Sequence, residues 1–518
     1  MECTKIPFEE VGNFSRLFLD YLNKEASVDS FYHHYPSIEN VEEQIAQKKG
    51  FQYRETLVEV LSQQYGAITN TPKVLENIAL LAKPTTFTVT TGHQLSVLTG
   101  PLFFIYKIVA TINLTEELKK KYPNNDFIPV FWMASEDHDY EEIKGVNLFG
   151  KTHAWETDQQ GAVGRFHLDD FPAVLDGLPE QIELLNEAYT NQQNLAQATR
   201  QLVNALFADY GLVIIDGDDK TLKSLVAPYW QKEIEEKVGF QKVNQTIEQL
   251  KLAGYKAQIN PREINLFRLT DHSRKRLVHE GDYIKEIDGN WSLPLNDLQD
   301  YLKENPEEFS PNVVLRPLYQ EVILPNIAYL GGPAEVIYWL ELKSMFEAFE
   351  VPFPFIMPRG HGIYINKGLS KKLAKFKLTA SQLFLDEKQL KQAYITANGD
   401  EKCDLEEEIN TLTTIFKTIE TKTNAIDPSL CAFVNAEYKK IEKQVSNIQK
   451  RLEKAEERNY EQGLTQLARL KEKLFPNEGL QERFDNLFSF LINNPNFIEE
   501  IKPHLNPIDF KFHIWQDA

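Results

Sequence analysis

Apolar and polar positions alternate along the chain in blocks, and the clearest block runs from about residue 84 to 150. TTFTVTTG (85–92) is rich in Thr and Val and closes on glycine, as a strand does; GPLFFIYKIVATINLTEELKKKY (100–122) then spaces its apolar residues at helical intervals and ends in lysines. DFIPVFWMA (126–134) reads as the next strand. A strand, a crossover helix and a strand in this order predict a parallel, right-handed βαβ unit and so an α/β fold. GLVIIDGDD (211–219) and VPFPFIMPRG (351–360) read as further strands. Ligands of open parallel sheets bind outside the carboxyl ends of strands, which is where TGHQ, SEDHD, DGDD and PRGHG are expected.

Between about 150 and 345 the pattern is less regular. Helical pieces such as NLAQATRQLVNALFADY (194–210) alternate with polar segments, and the stretches about 150–210 and 240–310 read as insertions into a core spanning 1–375. After about 375 glycine becomes scarce and Lys/Glu-rich helices take over. Ile441, Val445, Ile448, Leu452 and Ala455 step by four and three, an a/d seam with charges between. Leu405, Ile409, Leu412 and Ile419 form a similar face, and the loop near Asn424–Pro428 reverses the chain, so 376–480 is expected to hold an antiparallel helical hairpin. The helix is expected to resume after Gly463 through Leu464, Leu467, Leu470 and Leu474, and 481–518 to pack back on the core.

Bulk properties narrow the class. The 518 residues carry 56 Lys and Arg against 76 Asp and Glu, a formal charge of −20, which argues against a nonspecific grip on nucleic acid. No run of about 18 apolar residues occurs and MECTKIPFEEV is not a signal peptide, so a cytoplasmic protein without a membrane partner is expected. Cys3, Cys403 and Cys431 are too few and too scattered for a disulfide framework or a zinc site.

Three segments hold residues suited to chemistry. In TVTTGHQLSVLTGP (88–101), Gly92 and His93 are expected at a turn between a strand and a helix, where backbone N–H groups and the helix dipole favour an anion. Thr90, Thr91, Gly92 and His93 also resemble the H-x-G-H signature of nucleotidylyltransferases, with Thr90 in place of the first histidine. In SEDHD (135–139), Glu136, Asp137, His138 and Asp139 leave three roles open: magnesium ligands, a general base, or a solvated helix cap. In residues 312–342, Arg316 offers a fork for a carboxylate, while Asn326, Tyr329 and Tyr338 offer neutral hydrogen bonds; Gly331, Gly332 and Pro333 open a helix with Glu335 in its first turn.

TTGHQLSVLTGPLFFIYK, PVFWMASEDHDYEEI and NVVLRPLYQEVILPNIAYLGGPAEVIYWLEL together resemble the hallmark segments of the BshC family, cysteine-adding enzymes of bacillithiol biosynthesis. The resemblance implies a Rossmann-like, nucleotidylyltransferase-type core with insertions and an antiparallel coiled-coil domain that forms a homodimer. It also implies a ligase that joins the carboxyl of cysteine to the amine of glucosaminyl malate, with ATP and magnesium as the expected means of activating the carboxyl. On that reading Thr91, Gly92, His93, Gln94 and Gly100 hold phosphates, and Glu136 and Asp139 bind magnesium. Asp137 or His138 takes the amine proton, while Arg316, Gln320, Asn326, Tyr329, Gly331, Gly332 and Glu335 bind substrate. The alternatives are a nucleotidylyltransferase acting on another small acid and a noncatalytic coiled-coil scaffold.

Overall fold

The computed structural model describes residues 1–399 and 405–518; Cys403 lies outside the described residues. The chain divides into two compact units, one of Cys3–Ile363 with Gln481–His513 and one of Met1–Glu2, Tyr364–Leu480 and Ile514–Ala518.

The first unit is built on a parallel sheet of five strands: β1 (Thr86–His93), β2 (Asp126–Met133), β3 (Val213–Asp216), β9 (Asn326–Gly331) and β10 (Phe355–Pro358), in the order β10-β9-β1-β2-β3. The chain moves outward from β1 to β3, then returns to lay β9 on the other side of β1. That reversal is the switch point at which Rossmann-like sheets open a crevice. Register puts Gly92 opposite Trp132, His93 opposite Met133, and Met133 opposite Asp216, so the ends of the three strands finish level.

Helix α1 (Phe103–Lys121) makes the β1–β2 crossover. Its apolar residues bury Ala110, Leu114 and Leu118 against Phe87, Val89, Phe127, Ile327 and Leu330 of the sheet. Each buried Leu, Ile, Val or Phe among them contributes about 1.5–3 kcal/mol, and the Ala110 methyl about 0.8 kcal/mol. Lys119, Lys120 and Lys121 in the last turn complement the helix dipole, and the Tyr122 N–H closes the end on the Leu118 carbonyl.

The polar stretch expected as an irregular insertion is a second sheet. Strands β4 (Leu266–Thr270), β5 (Ser273–Glu280), β6 (Tyr283–Glu286), β7 (Ser292–Pro294) and β8 (Phe309–Pro311) pair antiparallel in the order β7-β6-β5-β4-β8. Helix α2 (Lys220–Glu236) leads into this region, and α3 (Arg316–Ile323) and α4 (Pro333–Leu340) flank β9 on either side in sequence.

In the second unit, helices α5 (Glu406–Ile426) and α6 (Cys431–Asn459) pair around a turn at Pro428–Leu430, as the apolar spacing predicts. Thr413 meets Tyr438, Glu420 meets Asn435 and Asn424 meets Cys431, so the partner's number falls as the first rises and the helices run antiparallel. The next helix, α7 (Glu461–Leu474), starts before Gly463 rather than after it and buries Leu467, Leu470 and Leu474. Gly463 sits inside that helix because the Tyr394 ring lies where a Cβ would project. The composition change near 375 falls within this unit, whose main segment starts at Tyr364.

Candidate functional site

A cavity of about 720 Å³ opens at the carboxyl ends of β1 and β2, beside β9, and is lined by all three segments singled out in the sequence together with β4, β5 and the start of α3. Its two ends differ in charge.

At one end Lys107, buried on α1, donates to the Gly92 carbonyl at 2.8 Å and pairs with Glu335 at 2.5 Å. Glu335 occupies the third position of α4 and accepts from the Gly332 N–H at 2.7 Å, which caps the helix, and from the Tyr329 hydroxyl at 2.7 Å. Burial alone would raise its pKa; Lys107 and these two donors hold it down at about 2. Lys107 is itself pulled below the usual lysine range, by burial first and by Arg359 and Arg316, against the opposing pull of Glu335. Arg316 starts α3, donates through Nη1 to Gln320 at 3.0 Å, and lies 5.8 Å over the Trp132 ring and 5.5 Å over the Tyr329 ring. Its Nη2 is buried without a partner among the described residues.

At the other end Asp137 accepts from Gln94 Nε2 at 2.8 Å, from the His138 N–H at 2.8 Å and from Arg274 Nη1 at 3.4 Å. Burial pushes its pKa up, but these donors hold it well below the usual carboxylate range. Arg274 reaches in from β5, anchored by Ser310 Oγ at 3.0 Å and the Pro311 carbonyl at 2.8 Å, with its guanidinium 4.1 Å from the Phe267 ring. Glu136 pairs with the buried Lys223 of α2 at 2.6 Å. Lys223 also holds Asp218 at 3.0 Å, and Asp218 takes a two-pronged bond from Arg165 at 2.8 and 3.0 Å. Burial raises the Glu136 pKa while Lys223 opposes it.

These features belong to a Rossmann-type crevice with a cation-rich end, and the sequence places it within one family. Residues 1–360 match the family model described as "Bacillithiol biosynthesis BshC, N-terminal Rossmann-like domain", and residues 362–516 match "Bacillithiol biosynthesis BshC, C-terminal coiled-coil domain". The chain belongs to the BshC family. A relative from Cytophaga hutchinsonii is 40% identical over 511 residues, covering 98% of both chains, and one from Flavobacterium johnsoniae is 40% identical over 523 residues with 98% of both covered. A third, from Chlorobaculum tepidum, is 28% identical over 546 residues, covering 97% of this chain and 96% of its own. All three bear the name "Putative cysteine ligase BshC".

Within this BshC-family chain the cavity gathers Gly92, His93, Gln94, Glu136, Asp137, Arg316, Tyr329, Glu335 and Tyr338. Other expected site residues stand apart from it. Gln320 and Asn326 are buried in a polar network beneath the sheet: both donate to Glu321, which pairs with Lys48 at 2.7 Å, and Asn326 accepts from Thr88 and Thr90. Thr91 is buried in the sheet and bonds the Leu330 carbonyl. Gly100, at φ +62°, closes the turn after β1, where a Cβ would strike Ser96. Gly331 and Gly332 supply backbone at the start of α4, and the Gly332 N–H is already taken by Glu335.

The expected anion turn at Gly92 and His93 is corrected by the structure. Both residues are still in β1, and α1 begins only at Phe103, so the turn does not open directly into that helix's N-terminus. His93 is wedged between Phe103 and Phe104, with ring centroids at 5.2 and 5.4 Å; burial and Lys107 lower its pKa to about 3, leaving a neutral ring. Magnesium on Glu136 and Asp139 does not fit either. Lys223 already neutralises Glu136, Asp139 does not line the cavity although Glu142 of the short helix after it does, and among the described residues no cluster of three His, Cys, Asp or Glu side chains suits a metal. His138 is half exposed, and its Nδ1 accepts from Arg274 at 3.0 Å. Arg359 and His361 of the PRGHG segment are buried behind the site, both bound to Glu482, at 2.7 and 2.9 Å.

Sequence reading missed Lys107, Lys223 and Arg274. The signal for Lys107 is a lone charge within the apolar run FFIYKIVAT, and for Lys223 a lysine one turn into the helix that follows DGDD. Arg274 lies in the basic SRKR stretch, where nothing separates it from its solvent-facing neighbours. Among the described residues no helix is long and apolar enough to cross a membrane, and Cys3 and Cys431 carry free thiols.

Proposed function

We propose that the protein is an amide-forming ligase that joins the carboxyl of L-cysteine to the amine of glucosaminyl malate. The observation that carries this reading is the charge pattern of the cavity at the sheet's switch point: one excess cation at the Lys107 and Arg316 end, and at the other end the carboxylates of Glu136, Asp137 and Glu142, which Lys223 and Arg274 offset only in part. A substrate with carboxylates at one end and an amine at the other matches that polarity. Arg316 takes a malate carboxylate through its unpartnered Nη2, and Asp137 holds the amino group of the sugar. Asp137 acts as an anchor, since a carboxylate held this far below its usual range accepts a proton poorly.

A carboxylate is a weak acyl donor at neutral pH, so we propose that ATP activates the cysteine carboxyl as an acyl phosphate or adenylate. The amine then forms the C–N bond, the activated carboxyl oxygen departs with its phosphoryl or adenylyl group, and the amine proton passes to solvent. The expected setting is the cytoplasm, with a homodimer formed through the helical unit. Incubation of the purified protein with cysteine, glucosaminyl malate, ATP and magnesium is expected to give the amide by mass spectrometry. No amide with any nucleoside triphosphate would overturn the assignment.

A further inference from the structure

Two donors at the cation-rich end have capacity left over. Lys107 carries three N–H bonds, and among the described residues it bonds the Gly92 carbonyl and Glu335. Arg316 uses Nη1 on Gln320 and has the Tyr338 hydroxyl beside its guanidinium, while Nη2 is buried with no acceptor in hydrogen-bond geometry among the described residues. A buried guanidinium N–H without an acceptor costs free energy unless a ligand supplies one. Tyr329 connects the two cations: its hydroxyl donates to the same Glu335 that pairs with Lys107, and its ring lies under Arg316. Both cations and Glu335 line one end of a single cavity.

The charge balance there is specific. Two cations face one carboxylate, and Glu335 is held ionised by Lys107, Tyr329 and Gly332. His93, next to Lys107, adds no charge because it is neutral. The opposite end has no comparable surplus: Arg274 faces Asp137, while Lys223 and Arg165 face Glu136 and Asp218. One uncompensated positive charge therefore lies at the Lys107 and Arg316 end, within a wall of Trp132, Tyr329 and Phe103.

We infer that Lys107 is a substrate-binding residue that completes, with Arg316, a subsite for one carboxylate, and that Glu335 sets its selectivity by cancelling one of the two cationic charges. The subsite takes a planar monoanion through the Arg316 fork and the remaining Lys107 donor. It disfavours a phosphate dianion, which would need the charge that Glu335 removes. This inference rests on the ligase reading for the identity of the carboxylate, and on geometry alone for the subsite.

The test titrates the full-length protein with L-malate and, separately, with inorganic phosphate by calorimetry at pH 7.5. Malate is expected to bind more tightly than phosphate, and to bind at least tenfold more weakly to Lys107→Gln and to Arg316→Gln. Glu335→Gln, a nearly isosteric change, is expected to raise phosphate affinity tenfold relative to malate. Unchanged malate affinity in a folded Lys107→Gln protein overturns the inference. Should that variant fail to fold, an unchanged phosphate-to-malate ratio in Glu335→Gln overturns it equally. Malate binding with this residue dependence, but no amide product, would sink the ligase reading and leave the subsite standing. Amide formation with an unaltered KM for glucosaminyl malate in Lys107→Gln would do the reverse.

Discussion

Asp137 shows how one residue's role is set by its donors. Three N–H groups from Gln94, His138 and Arg274 converge on its carboxylate, so it stays ionised wherever the protein is folded. A group of this kind binds a cation and does not titrate near neutrality. Asp137→Asn keeps the shape and removes the charge. Loss of one charge-assisted bond, worth about 1.5–3 kcal/mol, is expected to raise the KM for the amine substrate by roughly 10- to 150-fold. Steady-state kinetics between pH 5 and 9 check this, and the acid limb of the profile should be the same in both proteins because Asp137 holds no proton in that range. SEDHD was legible as a site but not in its division of labour. Nothing in five consecutive letters shows that Lys223, far along the chain, neutralises Glu136, or that Arg274 from another sheet engages Asp137 and His138.

At the scale of elements, α4 is held at both ends by glutamates in opposite electrostatic states. Glu335 in its first turn is stabilised as an anion by Lys107 and two hydrogen bonds. Glu341, just past its end and buried, accepts the backbone N–H groups of Gln258 and Ile259 at 2.6 and 3.2 Å, with no cation bonded to it among the described residues. Burial therefore wins over those two bonds and lifts its pKa to about 7. The unfolded carboxyl titrates near 4.5, so between about pH 4.5 and 7 the folded form holds a proton that the unfolded form has lost. Its contribution is complete below pH 4.5 and is lost as pH rises through 7, by about 3 kcal/mol. Glu341→Gln is expected to abolish this part of the decline, so denaturant unfolding at pH 5 and pH 8 should give a smaller difference in the variant than in the parent; an equal difference would refute it. The elements most legible in sequence were β1, α1 and β2: a Thr-rich strand closing on glycine, a periodic helix and a near-continuous apolar strand, each buried on several sides. Strand β5 was not legible because only Leu277 of SRKRLVHE is buried, so no alternation marks it as a strand. The misplaced turn at Gly92 has a similar origin: glycine commonly ends strands, but here the strand continues to His93 and the connection carries its own tight turn at Val97–Thr99.

For the molecule as a whole, the parallel order β10-β9-β1-β2-β3 explains why segments far apart in sequence meet at one cavity, since the reversal beside β1 brings α3, β9 and α4 against the first crossover. The helical unit presents a different problem. Its heptad-like spacing was readable because a/d positions recur every three and four residues, yet pairing α5 with α6 does not exhaust those positions. Ile415, Ile419, Phe433, Ile448 and Leu452 remain 40–61% exposed, and no residue of α5 is buried. Scattered apolar residues on a surface are ordinary, but a row of them along one helical pair is what a second copy covers in a coiled-coil dimer. In a two-fold interface each substitution counts twice. Ile448→Asp would forfeit roughly 1.5–3 kcal/mol per copy in burial alone, so the dimer is expected to weaken by at least a hundredfold in Kd. Sedimentation at micromolar concentration should find the parent as a dimer and Ile448→Asp as a monomer with unchanged helix content by circular dichroism. A parent chain that sediments as a monomer would rule out this interface, and the exposed row would then have to be covered by something other than a second copy.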